Sequence, residues 1–242
     1  MIGDLEAVSF IVKMNENKVA SGSYDSRNIR VWDLLTGSCL NTFNQQAELT
    51  CIIKVNSNKI GCGSCDNSIR IWDELGRNCI STMKGHSKSI NCLLKINETI
   101  IVSGSFDKLI KIWNLPSETC LKTLKGHTSP ITFLIKINKN TILSCSSVNK
   151  TIKVWNLISG KCISTIVDKN TSHITCPIKI NENEIASSAD LCIKIWSLLT
   201  GSCLKTIEGH TFVNCITQIN KYQVVSSSAD LSIKIWSLVD YK

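Results

Sequence analysis

The chain has 242 residues, 43% of them hydrophobic and 19% charged, a composition that excludes an intrinsically disordered polypeptide. No apolar run approaches the ~20 residues of a membrane-spanning helix, and three prolines with twelve glycines exclude collagen-like or proline-rich linker material. The formal charge of +8 comes from 27 basic and 19 acidic residues, yet only four of the bases are arginines: Arg27, Arg30, Arg70 and Arg77. Lysine is a hydrated point charge, so this balance favours loose attraction to acidic partners over sequence-specific reading of nucleic acid.

The first residues hold Asp4 and Glu6 and no base before Lys13, so no secretory leader is expected and the expected compartment is cytoplasm or nucleus. The first strand-like element ends at a tryptophan: Ile29-Arg30-Val31-Trp32 alternates aliphatic, base, aliphatic. The pattern returns at Trp72, Trp113, Trp155, Trp196 and Trp236, at spacings of 40, 41, 42, 41 and 40 residues. Upstream of each tryptophan lies an apolar segment ending in small residues, such as Ile100 to Ser105. Before that comes another, such as Ile131 to Asn138. A turn follows each tryptophan, Leu-Leu-Thr-Gly at Leu34 to Gly37 and Leu198 to Gly201, and then a fourth strand such as Cys203-Leu204-Lys205-Thr206-Ile207. One period therefore predicts four short strands and no helix.

A small sheet that is apolar on both faces cannot bury itself, so copies must cover one another. Radial stacking of twisted four-stranded sheets is a β-propeller. The expected fold class is all-β, a β-propeller of six four-stranded blades spanning residues 1–242, the last lacking its outer strand; the alternative is an open segment of a seven-bladed propeller. The arithmetic gives five blades of four strands and one of three, 23 in all.

Thirteen cysteines first suggest a disulfide framework, but their phase argues otherwise. Cys39, Cys79, Cys120, Cys162 and Cys203 recur about every 41 residues, and Cys51, Cys92, Cys176 and Cys215 share a phase with Phe10 and Phe133. A cysteine that alternates with phenylalanine fills apolar space, so free and mostly buried thiols are expected. Cys62-Gly63-Ser64-Cys65 has the spacing of half a zinc site, but no second pair exists, so neither a metal nor a cofactor is expected. Asn97-Glu98-Thr99, Asn149-Lys150-Thr151 and Asn170-Thr171-Ser172 match the glycosylation pattern, which has no meaning without secretion.

Gly85-His86, Gly126-His127 and Gly209-His210 open three repeats, and Trp32-Asp33 and Trp72-Asp73 close two. With the Ser-Gly-Ser-x-Asp turns, the whole chain resembles the WD-repeat propeller family. The resemblance implies a His-Ser-Asp-Trp hydrogen-bond network, carried here by His86, Ser105, Asp107 and Trp113 and by His210, Ser228, Asp230 and Trp236. The serine is placed two before the Asp because Ser23, Ser64, Ser105, Ser147, Ser188 and Ser228 all occupy that place, whereas the earlier serine becomes Cys62, Cys145 and Ala186. Serine, histidine and aspartate together invite a catalytic-triad reading. The set recurs in full and in damaged copies, with no G-x-S-x-G elbow, and so reads as structural.

Three repeats depart from Gly-His: Gly3-Asp4, Asn44-Gln45 and Lys169-Asn170, with His173 out of phase, while Asn149 replaces the Asp of the fourth. Blades one, two and five are therefore expected to rest on packing. The resemblance also implies a function: a non-catalytic scaffold that docks peptides or proteins on its loop face. The expected rim holds Tyr24, Cys65, Phe106 and Val148, with Ala189 and Ala229 in the same phase, bordered by Pro130 and Phe212. Lys108, with Lys88 and Lys150 near it, favours acidic or phosphorylated peptides. A ubiquitin-ligase substrate receptor would need an F-box or similar domain, which these residues do not contain. A lysine-mediated nucleic-acid or phosphoinositide binder would bind with steep salt dependence.

Overall fold

A computed structural model describes residues 7–24, 27–168 and 174–238. It holds 23 strands in six antiparallel sheets, five of four strands and the last of three, and no helix among the described residues. Among the described residues no helix is long and apolar enough to cross a membrane. Sheet one is β1 (Phe10–Asn15), β2 (Lys18–Gly22), β3 (Asn28–Asp33) and β4 (Cys39–Asn44). Sheet two is β5 (Leu49–Lys54), β6 (Lys59–Ser64), β7 (Ser68–Asp73) and β8 (Asn78–Lys84). Sheet three is β9 (Ile90–Lys95), β10 (Ile100–Ser105), β11 (Ile110–Asn114) and β12 (Thr119–Leu124). Sheet four is β13 (Phe133–Lys136), β14 (Thr141–Ser146), β15 (Thr151–Asn156) and β16 (Cys162–Val167). Sheet five is β17 (Thr175–Lys179), β18 (Glu184–Ala189), β19 (Cys192–Ser197) and β20 (Cys203–Glu208), and sheet six is β21 (Val213–Asn220), β22 (Gln223–Ser228) and β23 (Ile233–Ser237).

The chain forms two compact units, Met1–Lys125 with sheets one to three and Gly126–Lys242 with sheets four to six. In the first, β5 lies against both β1 and β9; in the second, β17 lies against both β13 and β21. The first strand of each sheet is thus the inner one, and in the four-stranded sheets the fourth is the outer one.

The core follows one rule. In sheets one, two, four and five, the two aliphatics that flank the base before the tryptophan are covered by the next sheet and its indole. Ile29 and Val31 pack with Leu49, Ile60 and Trp72; Ile69 and Ile71 pack with Ile90, Ile101 and Trp113. Ile152 and Val154 meet Ile174, Ile185 and Trp196, and Ile193 and Ile195 meet Val213, Ile216 and Val224 beside Trp236. Each fully buried aliphatic contributes about 1.5–3 kcal/mol. The indole also fixes a glycine: a Cβ on Gly209, at φ +141°, would stand 2.9 Å from the ring of Trp236.

Thirteen free thiols are present, but only Cys51, Cys62, Cys145 and Cys192 are buried, which corrects the expectation that most would be. The reason lies in the outer strands. Each phase-matched cysteine pairs across from its tryptophan (Trp32 with Cys39, Trp113 with Cys120), where no further strand covers it. Its thiol donates to the carbonyl two residues on, as Cys39 Sγ does to Asn41 O at 3.4 Å. A β-bulge sits at this point in all five four-stranded sheets, so that Leu40, Ile80, Leu121, Ile163 and Leu204 are skipped by the ladder.

Candidate functional site

The hairpin between β10 and β11 is locked from below. His86 Nδ1 lies 2.7 Å from Asp107 Oδ2, His86 Nε2 lies 2.7 Å from Ser103 Oγ, and Trp113 Nε1 donates to the same Ser103 Oγ at 2.8 Å. The amides of Ser87 and Leu109 donate to the Asp107 carboxylate at 3.0 and 2.9 Å. Burial lowers the His86 pKa against the pull of Asp107. For Asp107, burial works to raise the pKa, but the His86 imidazole and the Ser87 and Leu109 amides outweigh it and hold the carboxyl below its ordinary value. Sheet six repeats the set with His210, Asp230, Ser226 and Trp236: the imidazole stands 2.9 Å from Asp230 and 2.7 Å from Ser226, and the indole donates to Ser226 at 2.7 Å.

The network serines are therefore Ser103 and Ser226, not Ser105 and Ser228. Strand register decides this. Trp113 pairs with Ile101 and Trp236 with Val224, and the serine two residues further on shares the face of the indole. Ser105 and Ser228 serve the turn instead, accepting from the amides of Asp107 and Asp230 at 3.0 and 3.1 Å. The same register makes Ser21, Ser144 and Ser187 the acceptors for Trp32, Trp155 and Trp196 at 2.8, 2.7 and 2.9 Å, so Cys145 and Ala186 replace nothing. Only Cys62 does, and the buried Trp72 Nε1 has no hydrogen-bond partner among the described residues. Ser103, Ser144 and Ser187 are fully buried, so no substrate reaches these hydroxyls.

Sheets two and five do not rest on packing alone. Gln45 and Asp168 stand immediately after the outer strand, in the place of Gly85, and both are buried. Lys194 Nζ donates to both oxygens of Asp168 at 2.9 and 2.8 Å. In sheet two, Arg70 pairs with Asp66 at 2.6 Å and donates to Ser64 Oγ at 3.2 Å, while Ser64 donates to Gln45 Oε1 at 3.0 Å. In these two sheets the base two before the tryptophan thus supplies a cation that pairs with a buried or half-buried carboxylate. Sheet four keeps His127, whose Nδ1 faces Thr151 Oγ1 at 3.2 Å because Asn149 has taken the acid's place. Without a carboxylate, burial and then the charge of Lys153 push the His127 pKa down to about 4. Gly3-Asp4, Lys169-Asn170 and His173 lie outside the described residues.

On top of these networks sit the rim residues, described unit by unit. In the first unit Tyr24 and Phe106 are 51% and 48% exposed, and Cys65 and Lys108 are exposed. Their backbones are tied to the loops entering the inner strands: Phe106 N donates to Ser89 O at 3.0 Å, Cys65 N to Glu48 O at 3.1 Å, and Tyr24 N to Ser9 Oγ at 3.1 Å. Cys62 and Cys65 form no pair, since one is buried in the core and the other faces solvent. In the second unit Val148 and Phe212 are exposed and Pro130 is half-buried. Ala189 is not on the rim. The sheet-five hairpin is shorter, and Ala189 is the buried last residue of β18, paired with Cys192. Leu231, almost wholly exposed at φ +64°, is a rim residue the sequence reading missed. Its signal was a leucine directly after the turn acid, where Lys108 stands in sheet three.

The family description "WD domain, G-beta repeat" matches residues 37–73, 77–114, 118–156 and 201–237, more than half of the chain. The chain belongs to the WD-repeat family. The WD repeats around Trp32 and Trp196 fall outside the matched segments but form the same four-stranded sheets. Among solved structures, the crystal structure of the computationally designed Ika8 protein is similar at 30% identity and a TM-score of 0.81, over 96% of this chain and 70% of that one. The structure titled U3-55K is similar at 19% identity and a TM-score of 0.84, over 98% of this chain and 79% of that one, and shows the fold alone. No curated protein sequence matches the chain. WD-repeat propellers are generally protein-interaction scaffolds, and that is the coarse function of this chain.

Proposed function

We propose that residues 1–242 act as one non-catalytic docking module, a scaffold that holds a peptide or folded partner on its hairpin rim within a multiprotein complex of the cytoplasm or nucleus. The observation that carries this reading is Phe106. It is a large aromatic held half out of solvent on a turn that is tied down by Ser89 O and by the network under Asp107. A rigid, partly exposed aromatic anchors an interface at little entropic cost. Tyr24 and Cys65 hold the corresponding turns in their own unit, and Val148, Pro130 and Phe212 supply apolar contact in the other. Lys108, next to Phe106 and exposed, favours an acidic or phosphorylated peptide.

The test compares parent chain and a Tyr24→Ala/Phe106→Ala variant by affinity capture, with crosslinks to Lys108 mapped by mass spectrometry. The reading expects partners lost from the variant and crosslinks confined to the hairpin side. Identical recoveries from both forms overturn it.

A further inference from the structure

The inner strands of sheets five and six bring two thiols together. Cys176 on β17 and Cys215 on β21 occupy the phase of Phe10 and Phe133, and the two strands lie against each other within the second unit. Cys176 Sγ donates to the carbonyl of Asn214, the residue before Cys215, at 3.1 Å. The Cys215 thiol and the amide of Ile216 are both within hydrogen-bonding reach of the same sulfur. Cys176 thus rests against the backbone on either side of Cys215.

Two irregularities of the chain produce this approach. The β17–β18 register shifts between Thr175 and Ile178, and Cys176 stands inside that bulge at φ +42°. The β21–β22 register shifts between Val213 and Cys215. A bulge re-aims a side chain, and strained backbone of this left-handed kind gathers at functional positions. In the first unit the matching thiols point elsewhere: Cys51 is buried in the core, and Cys92 Sγ donates to Gly104 O of its own sheet at 3.9 Å. Cys215 is exposed and Cys176 half-buried. Burial first, and then the Cys215 thiol, push the Cys176 pKa up to about 11. Cys176 therefore keeps its proton at neutral pH, and Cys215 meets a dissolved oxidant first.

We propose that Cys176 and Cys215 form an oxidisable dithiol site that hydrogen peroxide closes into a disulfide between sheets five and six. The Cys215 thiolate attacks one peroxide oxygen and the O–O bond breaks. The departing hydroxide takes the proton that Cys215 gave up, leaving a sulfenic acid and one water. The Cys176 sulfur then attacks the Cys215 sulfur, the S–O bond breaks, and hydroxide leaves with the Cys176 proton as a second water. The thiols lose two electrons and two protons, and the peroxide takes up both.

The test titrates the full chain, freed of reductant and at micromolar concentration, with hydrogen peroxide. Remaining thiols are blocked with N-ethylmaleimide, and unreduced peptides are mapped by mass spectrometry. A Cys176–Cys215 crosslink is expected to form roughly tenfold faster than any other disulfide and to vanish with dithiothreitol. In Cys176→Ser the sulfenic acid has no resolving thiol, so dimedone labelling of Cys215 is expected to rise about tenfold over the parent. The crosslink is read on the parent chain, so it decides the matter however the variant folds. No Cys176–Cys215 crosslink, earlier crosslinks through the outer-strand cysteines, or equal dimedone labelling of Cys215 in parent and variant overturns the proposal.

Discussion

Cys62 stands where a serine serves the other five indoles, and Trp72, in the same buried cluster, has no acceptor for its Nε1 among the described residues. A buried donor left unpaired costs about 1–3 kcal/mol, more than a typical net hydrogen bond returns. Cys62→Ser restores the acceptor with almost no change in volume. The variant is expected to melt about 2–4 °C higher, read by differential scanning calorimetry; a lower melting temperature refutes the assignment of the serine position.

The Asp168–Lys194 pair, both members buried, predicts an asymmetric response. Either Asp168→Ala or Lys194→Met alone removes one member of a buried ion pair and is expected to cost about 3–5 kcal/mol. Asp168→Leu with Lys194→Met removes both charges and recovers most of that loss. Urea unfolding of the three variants checks it, and additive costs in the double variant contradict the pairing.

The pH dependence follows from His127, whose pKa falls to about 4 in the folded chain against an ordinary value of 6.5. The unfolded chain binds the proton first, so stability is intact above pH 6.5 and declines as pH falls from 6.5 toward 4. The full decline amounts to about 3 kcal/mol. His86 shifts in the same direction, while Asp107, held low, contributes its loss only at more acid pH. His127→Gln is expected to flatten the curve between pH 7 and 4.5 in denaturant titrations. An unchanged slope assigns the titration elsewhere.

Sheet six, which has three strands among the described residues where the others have four, is expected to open before them. Amides of β23 should exchange at least tenfold faster than those of β19, since the flanking outer strand is what protects the latter. Native-state hydrogen exchange by mass spectrometry reads this directly. Sheets two and five, pinned by their ion pairs, are expected among the slower ones.

Tryptophan phase made the strands legible: every third strand ends where Trp32 to Trp236 mark it, and the three-strand last sheet follows from the same counting. The choice of network serine was not legible, because counting back from the turn acid assumes hairpins of one length. The span from serine to tryptophan is 11 residues in sheet four, Ser144 to Trp155, and 9 in sheet five, Ser187 to Trp196, and pairing across the strand is what stays constant. The ion pairs escaped for a related reason. Counting by dipeptide sets Asn44-Gln45 and Lys169-Asn170 in the place of Gly-His, whereas the ends of the outer strands set Gln45 and Asp168 in the place of the glycine, where the base of the third strand passes. Thiol exposure depended on knowing which strand is outermost, a property of the assembled sheet.

The bulge opposite each tryptophan has a practical side. Leu40, Ile80, Leu121, Ile163 and Leu204 are apolar and exposed because the ladder skips them, so none contributes a paired side chain to the sheets. They recur once per repeat, and exposed apolar side chains of this kind lower the concentration a protein can reach before it clumps. Swapping them one after another for lysine tunes that colloidal threshold in graded steps while the interior stays as it was.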